Sequence, residues 1–135
     1  MTPKFRGYSE ALGYFVEGSY LYTPEATSDF NIKNWIVRKD GFKYAIEKPS
    51  SIGQSTGLRD KVGVEVYVND IVEDEYGHRY EVVFEGDCLR CNGVRRIRGG
   101  HKPKNRWFGI DLKIIGNRYE NSELLEEQIK NEKTY

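Results

Sequence analysis

The stretch that most constrains the fold is residues 49–86, where turn residues and strand-forming residues alternate without a break. Gly53, Gly57, Gly63 and Gly77 punctuate it, and glycine takes the positive φ angles that tight turns need. From Val64 to Val68 apolar and charged residues alternate, the period of a half-buried strand. Asn69-Asp70 then predicts a turn into Ile71-Val72. Residues 73–78 have no apolar periodicity and include Gly77, which predicts a hairpin connection. Arg79 to Phe84 returns as a strand, with Tyr80, Val82 and Phe84 on one face and Glu81 and Val83 on the other. Val82-Val83 is a β-branched pair, which favours strand over helix.

The rest of the chain reads in the same idiom. Tyr14 to Tyr22 predicts a first strand or a bent pair of strands, with Gly18 as the candidate bulge. Residues 23–33 are polar and contain Pro24, so they predict a loop. Residues 34–38 and 42–46 flank Asp40-Gly41, a dipeptide that favours a tight hairpin turn. Lys48-Pro49-Ser50-Ser51 interrupts the pattern and is the candidate boundary between subdomains of a single domain spanning 1–135. Asn92-Gly93 predicts a second hairpin turn, and 107–110 and 112–115 predict closing strands. Asn121 predicts the cap of a short helix whose Leu125 and Ile129 share a face. The fold class expected is mainly β: a small SH3-like barrel, or two packed antiparallel β subdomains, with a short C-terminal helix.

Charged residues make up 31% of the chain, and mean hydropathy is −0.71. No apolar run approaches the ~18 residues of a membrane helix. The expected location is therefore a reducing cytosol, with no membrane partner, and two cysteines without a secretory signal predict free thiols. Thirteen per cent aromatic residues, ten of them Tyr, argue against disorder. Net charge is zero, but it is unevenly spread. Residues 88–108 hold seven Lys and Arg and no acid, whereas residues 1–87 hold ten against fifteen.

Several blocks resemble the YopX-like family of phage and prophage proteins. They are the run from Ile52 to Asp60 (Ile-Gly-Gln-Ser-Thr-Gly-Leu-Arg-Asp), the run from Gly63 to Val72, and the run from Ile115 to Leu125. Asn69 stands where the family usually has Gly, and Asn is the next best residue at positive φ. Ser122 replaces the usual Pro. Lys4-Phe5-Arg6-Gly7 is similar to the family's opening. The resemblance implies a phage-related origin and a mostly-β fold. It brings no catalytic residue with it.

Cys88-x-x-Cys91 supplies half of a zinc site, with His101 and His78 the histidines available to join it; the competing reading is two thiols on a strand or its turn. A metal-dependent enzyme is the reading that this cluster would support. The acidic run Glu73-Asp74-Glu75 lacks the spacing of a calcium loop and suits a solvated hairpin tip. No cofactor motif is present. Arg90, Arg95, Arg96, Arg98, Lys102, Lys104 and Arg106, followed by Trp107, form the candidate nucleic-acid-binding segment, since phosphates attract cations and aromatics stack on bases. The competing reading is a solvated hairpin whose charges pair with the acidic part of the chain. The function expected is that of a non-enzymatic accessory protein acting on a macromolecular partner, nucleic acid being the alternative. Exposed sheet edges and many Tyr also make a homo-oligomer an expectation.

Overall fold

A computed structural model describes residues 3–24, 32–84, 92–98 and 112–125, with residue 84 and residues 92–98 described by their backbone. Two units divide the chain, Met1–Ser55 and Thr56–Tyr135. The architecture is mainly β and antiparallel.

The first unit is a meander of β1 (Phe5–Ser9), β2 (Tyr14–Tyr22), β3 (Asn34–Val37) and β4 (Lys43–Ala45). Consecutive strands pair in the order β4-β3-β2-β1. The Asp40-Gly41 turn forms as expected, with Gly41 at φ 88° and the Asp40 carboxylate accepting from the Phe42 N–H at 2.9 Å. A 3-10 turn, Pro49–Ser51, follows within this unit. The core is Val16, Ile36 and Ile46, with Phe5, Tyr44 and Ile52 packed against it.

Two glycines set how closely this unit closes. A Cβ on Gly7 would stand 2.9 Å from the Ile46 side chain and 3.1 Å from Ile36. A Cβ on Gly18 would stand 2.2 Å from the Val37 carbonyl oxygen. The β1–β2 register runs unbroken from Phe5↔Gly18 to Ser9↔Tyr14, so Gly18 is not the expected bulge. It is a position where neighbouring backbone comes too close for a side chain.

β5 (Gly53–Arg59) carries the chain from one unit into the other. Its first residues pair with β1, Phe5↔Gln54 and Arg6↔Gly53. Its later residues lie beside β6 (Glu65–Tyr67), where the Thr56 hydroxyl donates to the Val66 carbonyl at 2.8 Å. In the second unit β7 (Asp70–Glu73), β8 (Arg79–Phe84), β9 (Asn92–Arg98) and β10 (Lys113–Asn117) form a sheet of order β10-β7-β8-β9. Asn69 takes the left-handed conformation, φ 82°, between β6 and β7. One sheet face contributes Val72, Tyr80 and Val82 to a core shared with Val66 and Leu112.

Two sequence expectations fail in this unit. Asn92 and Gly93 are not a turn: they open β9, opposite Phe84 and Val83 of β8. Strand pairing here overrides a dipeptide preference that is only local. The Asn121 side chain turns back to accept from the Asn117 N–H at 3.0 Å, although a helical turn does begin at 123–125.

Candidate functional site

Acidic side chains in the second unit are drawn into its framework. Asp60 is buried. One carboxylate oxygen accepts from the Val62 and Val64 N–H groups at 3.0 and 2.9 Å. The other accepts from the Ile114 N–H at 3.1 Å, 54 residues away. Burial alone pushes the Asp60 carboxyl up, but the N–H groups of Ile114, Val64, Val62 and Gly63 outweigh it and hold the group below the usual carboxylate range. Asp70, also buried, accepts from the Tyr67 N–H at 2.8 Å and closes the Asn69 turn.

Glu81 is the least expected of these. Strand alternation places it opposite the core face, yet it is 1% exposed. Arg118 donates to it through Nε at 2.5 Å and through a terminal nitrogen at 3.4 Å. That bond raises the arginine's already high pKa against its partial desolvation.

Asp74 closes the β7–β8 hairpin. One oxygen accepts from the Tyr76 and His78 N–H groups, both at 2.9 Å. The other lies 3.1 Å from His78 Nδ1 and accepts from the Tyr80 hydroxyl at 3.3 Å. A carboxylate orienting an imidazole is a fragment of catalytic geometry, but here every bond ties a residue of one five-residue turn or the strand it feeds. Of the acidic run Glu73-Asp74-Glu75, Asp74 is thus committed to the turn and Glu73 to Arg79. No group of three or more His, Cys, Asp or Glu side chains among the described residues could hold a metal ion.

The face of this sheet that carries Glu81 has a defined pattern of charge. Along one row, Lys113 (β10), Glu73 (β7), Arg79 (β8) and Arg98 (β9) occupy successive register positions. Along the next, Gly116, Ile71, Glu81 and Arg95 do so. Glu73 and Arg79 pair at 3.1 Å, as Glu81 and Arg118 do at 2.5 Å. A register shift beside Tyr80 puts Arg96 opposite Tyr80 and Arg98 opposite Arg79.

The remaining sequence candidates, Cys88, Arg90, Cys91, His101, Lys102, Lys104, Arg106 and Trp107, lie outside the described residues. Sequence reasoning did not find the ion pair of Glu81 with Arg118, whose partners are 37 residues apart. Nor did it find the small open cleft of about 530 Å³ in the first unit, whose lining includes Lys4, Phe15, Glu17 and Arg38. In that unit Arg6 stands 4.6 Å from the Phe15 ring centre and Lys43 5.6 Å from that of Trp35, contacts that cover aromatic faces with cations.

The terminal block that resembles the family is a lock built on Gly116. A Cβ there would fall 2.6 Å from the Asn121 side-chain oxygen, so only glycine lets that carboxamide lie on β10. The Asn117 side chain completes the turn, accepting from the Glu120 N–H at 2.8 Å and donating to the Glu120 carboxylate at 3.0 Å.

A sequence profile of the family described as YopX protein matches residues 4–126. No curated protein matches the chain. No helix among the described residues is long and apolar enough to cross a membrane.

Proposed function

Because the chain belongs to the YopX family, we propose that it serves as a phage or prophage accessory protein that acts by binding a macromolecular partner rather than by turnover. One observation carries this reading: the polar residues of the family blocks are engaged in holding turns and strands. Thr56 bonds Val66, Asp60 bonds three N–H groups, and Asn117 and Asn121 bond their own turn. Side chains used this way fix a scaffold, and the scaffold presents its surface. Exposed aromatics on the first unit suit such contact: Tyr22 is 54% and Phe42 65% exposed. The same features would serve self-association, and a bacterial host cytoplasm is the proposed setting.

The test is a screen of purified protein against nuclease, phosphatase and hydrolase substrates, with His78→Ala and Asp74→Asn alongside. No turnover is expected from any of the three proteins. Turnover by the wild type that either substitution removes would overturn the reading.

A further inference from the structure

We propose that the β3–β4 hairpin of the first unit, with the cleft beside its turn, is a docking surface for single-stranded nucleic acid, an inference that rests on the binding-module reading above. Uncompensated positive charge and exposed aromatic surface meet there. Residues 32–46 hold four cations, Lys33, Arg38, Lys39 and Lys43, against one acid, Asp40. All four cations are exposed, and none has an ion pair among the described residues. The Asp40 carboxylate is turned to the Phe42 N–H. The hairpin closes through the Arg38 N–H to the Phe42 carbonyl and the Gly41 N–H to the Arg38 carbonyl, both at 2.9 Å. Arg38 and Phe42 therefore stand opposite each other, with Lys39 in the turn between them. Phe42 and Tyr44 stack, their ring centres 6.1 Å and their planes 29° apart. Tyr44 packs against the core, which anchors the pair while Phe42 stays exposed. β4 is an outer strand of its sheet, so an approaching chain can lie along it.

Beside the turn, the open cleft of about 530 Å³ brings Lys4, Tyr14 and Phe15 together with Arg38 and Lys39. Its other acid, Glu17, lies 3.8 Å from Lys4. The volume falls within the roughly 300–1,000 Å³ of small-ligand sites, enough for one nucleotide. Arg38 and Lys39 attract phosphates, and arginine's planar donor fork matches phosphate oxygens. An unpaired base can stack on the Phe42 ring, a contact that tolerates any sequence because every base has a flat face. A duplex keeps its base faces covered, so it meets the cations but not the ring. An acidic peptide also leaves the ring unused, and a proline-rich peptide leaves the cations without partners. Single-stranded nucleic acid is the occupant that matches both features, and the others become outcomes of the test.

The experiment is a fluorescence-anisotropy titration of the full chain with labelled single-stranded DNA, single-stranded RNA and duplex DNA of mixed sequence, repeated over a salt series. The double change Arg38→Ala with Lys39→Ala, the single changes Phe42→Ala and Phe42→Trp, and Lys61→Ala on the second unit are compared, and circular dichroism checks folding. Arg38 closes the turn through main-chain groups and Phe42 is exposed, so these substitutions should leave the fold intact. Both single strands should bind, and more tightly than the duplex. The double change should weaken binding about tenfold and lower the salt slope by about 1.4, since each phosphate contact on a single strand contributes about 0.7. Phe42→Ala should weaken binding about tenfold with the slope unchanged, and Phe42→Trp should keep it. Lys61→Ala should change neither affinity nor slope. Absence of binding at low salt, duplex bound as tightly as single strands, or binding that either the Arg38/Lys39 change or Phe42→Ala leaves unmoved would overturn the proposal. So would tighter binding of a polyglutamate or polyproline peptide than of nucleic acid. Any of these results, with turnover still absent, leaves the binding-module reading standing; turnover in the enzyme screen would remove that reading instead.

Discussion

Among the described residues, the buried polar side chains of the first unit are hydroxyls, those of Ser9 and Ser51; in the second they are the carboxylates of Asp60, Asp70 and Glu81 and the amide of Asn117. The Ser9 hydroxyl serves a local turn, accepting from the Leu12 N–H, whereas that of Ser51 donates to the nearby Lys48 carbonyl and accepts from the Tyr8 N–H, 43 residues away. The carboxylates of Asp60 and Glu81 tie segments far apart in sequence. The first unit depends on fit, because Gly7 and Gly18 leave no room for a methyl group. The second depends on charge, because a buried carboxylate that loses its donors costs more than a buried methylene. Substitutions of volume should therefore hurt the first unit most, and substitutions of charge the second.

The largest expected effect is Gly18→Ala. Its Cβ would sit 2.2 Å from a backbone oxygen, and backbone cannot swing aside as a side chain can. A loss of about 3 kcal/mol is expected, the upper part of the range for overpacking. Urea denaturation measures it. A loss indistinguishable from zero would show that β2 and β3 separate easily, and would break the claim that this unit is governed by fit.

Next is Arg118→Ala, which leaves Glu81 buried without the arginine. Loss of one partner of a fully buried pair costs roughly 3–5 kcal/mol. The Arg118 side chain is 48% exposed, so water entering after truncation should reduce this to about 2 kcal/mol. Glu81→Gln should cost less, because it removes the buried charge and frees Arg118 to solvent. Equal losses from the two would mean that packing, not charge, is what the pair contributes.

The two units also differ in how readable they were. β8 was legible to the residue, since Tyr80, Val82 and their neighbours alternate cleanly. The Asp40-Gly41 hairpin was legible from turn chemistry alone. No sequence pattern marks β1 and β5 as strands. β1 buries Gly7 and Ser9 rather than large apolar residues, so no hydrophobic period marks it. β5 contains Gly57 at φ 76° and polar residues on both sides, which reads as turn. The buried carboxylates were hidden for a different reason. Asp60 and Glu81 find hydrogen-bond partners in Ile114 and Arg118, brought near by the pairing of β10 with β7. The basic segment is visible as composition, but the shift in the pairing register of β8 with β9 beside Tyr80 is one that no period reveals.

Gly116→Ala tests the family's terminal block. The added methyl would displace the Asn121 carboxamide and leave the Asn117 N–H without that acceptor. A cost of about 2 kcal/mol is expected. Asn121→Ala should cost a similar amount, and the double change little more than either alone, because both break one contact. Additive losses in this double-mutant cycle would show that Gly116 and Asn121 act separately.

The smallest expected effect is also the one that most sharply separates the units. Asp60 has a depressed pKa in the folded protein. In the unfolded chain its carboxyl titrates near about 3.9. The folded state thus binds fewer protons than the unfolded state in the acid range, and stability rises with pH there. The contribution is fully present above the unfolded pKa and is lost as pH falls through the folded one. Asp60→Asn keeps one acceptor for Val62 and Val64 but turns an N–H₂ group toward the Ile114 N–H, a mismatch expected to cost about 1 kcal/mol at neutral pH. Below about pH 4 that difference should shrink, because the wild-type carboxyl is itself being protonated. Hydrogen exchange gives the regional readout. As pH falls through this window, protection at Val62, Val64 and Ile114 should drop before protection at Ile36 and Val16 of the first unit, once the intrinsic pH dependence of exchange is divided out. Parallel loss in both units, or an acid limb of the same size in the Asp60→Asn protein, would mean that the acid sensitivity lies in other carboxylates.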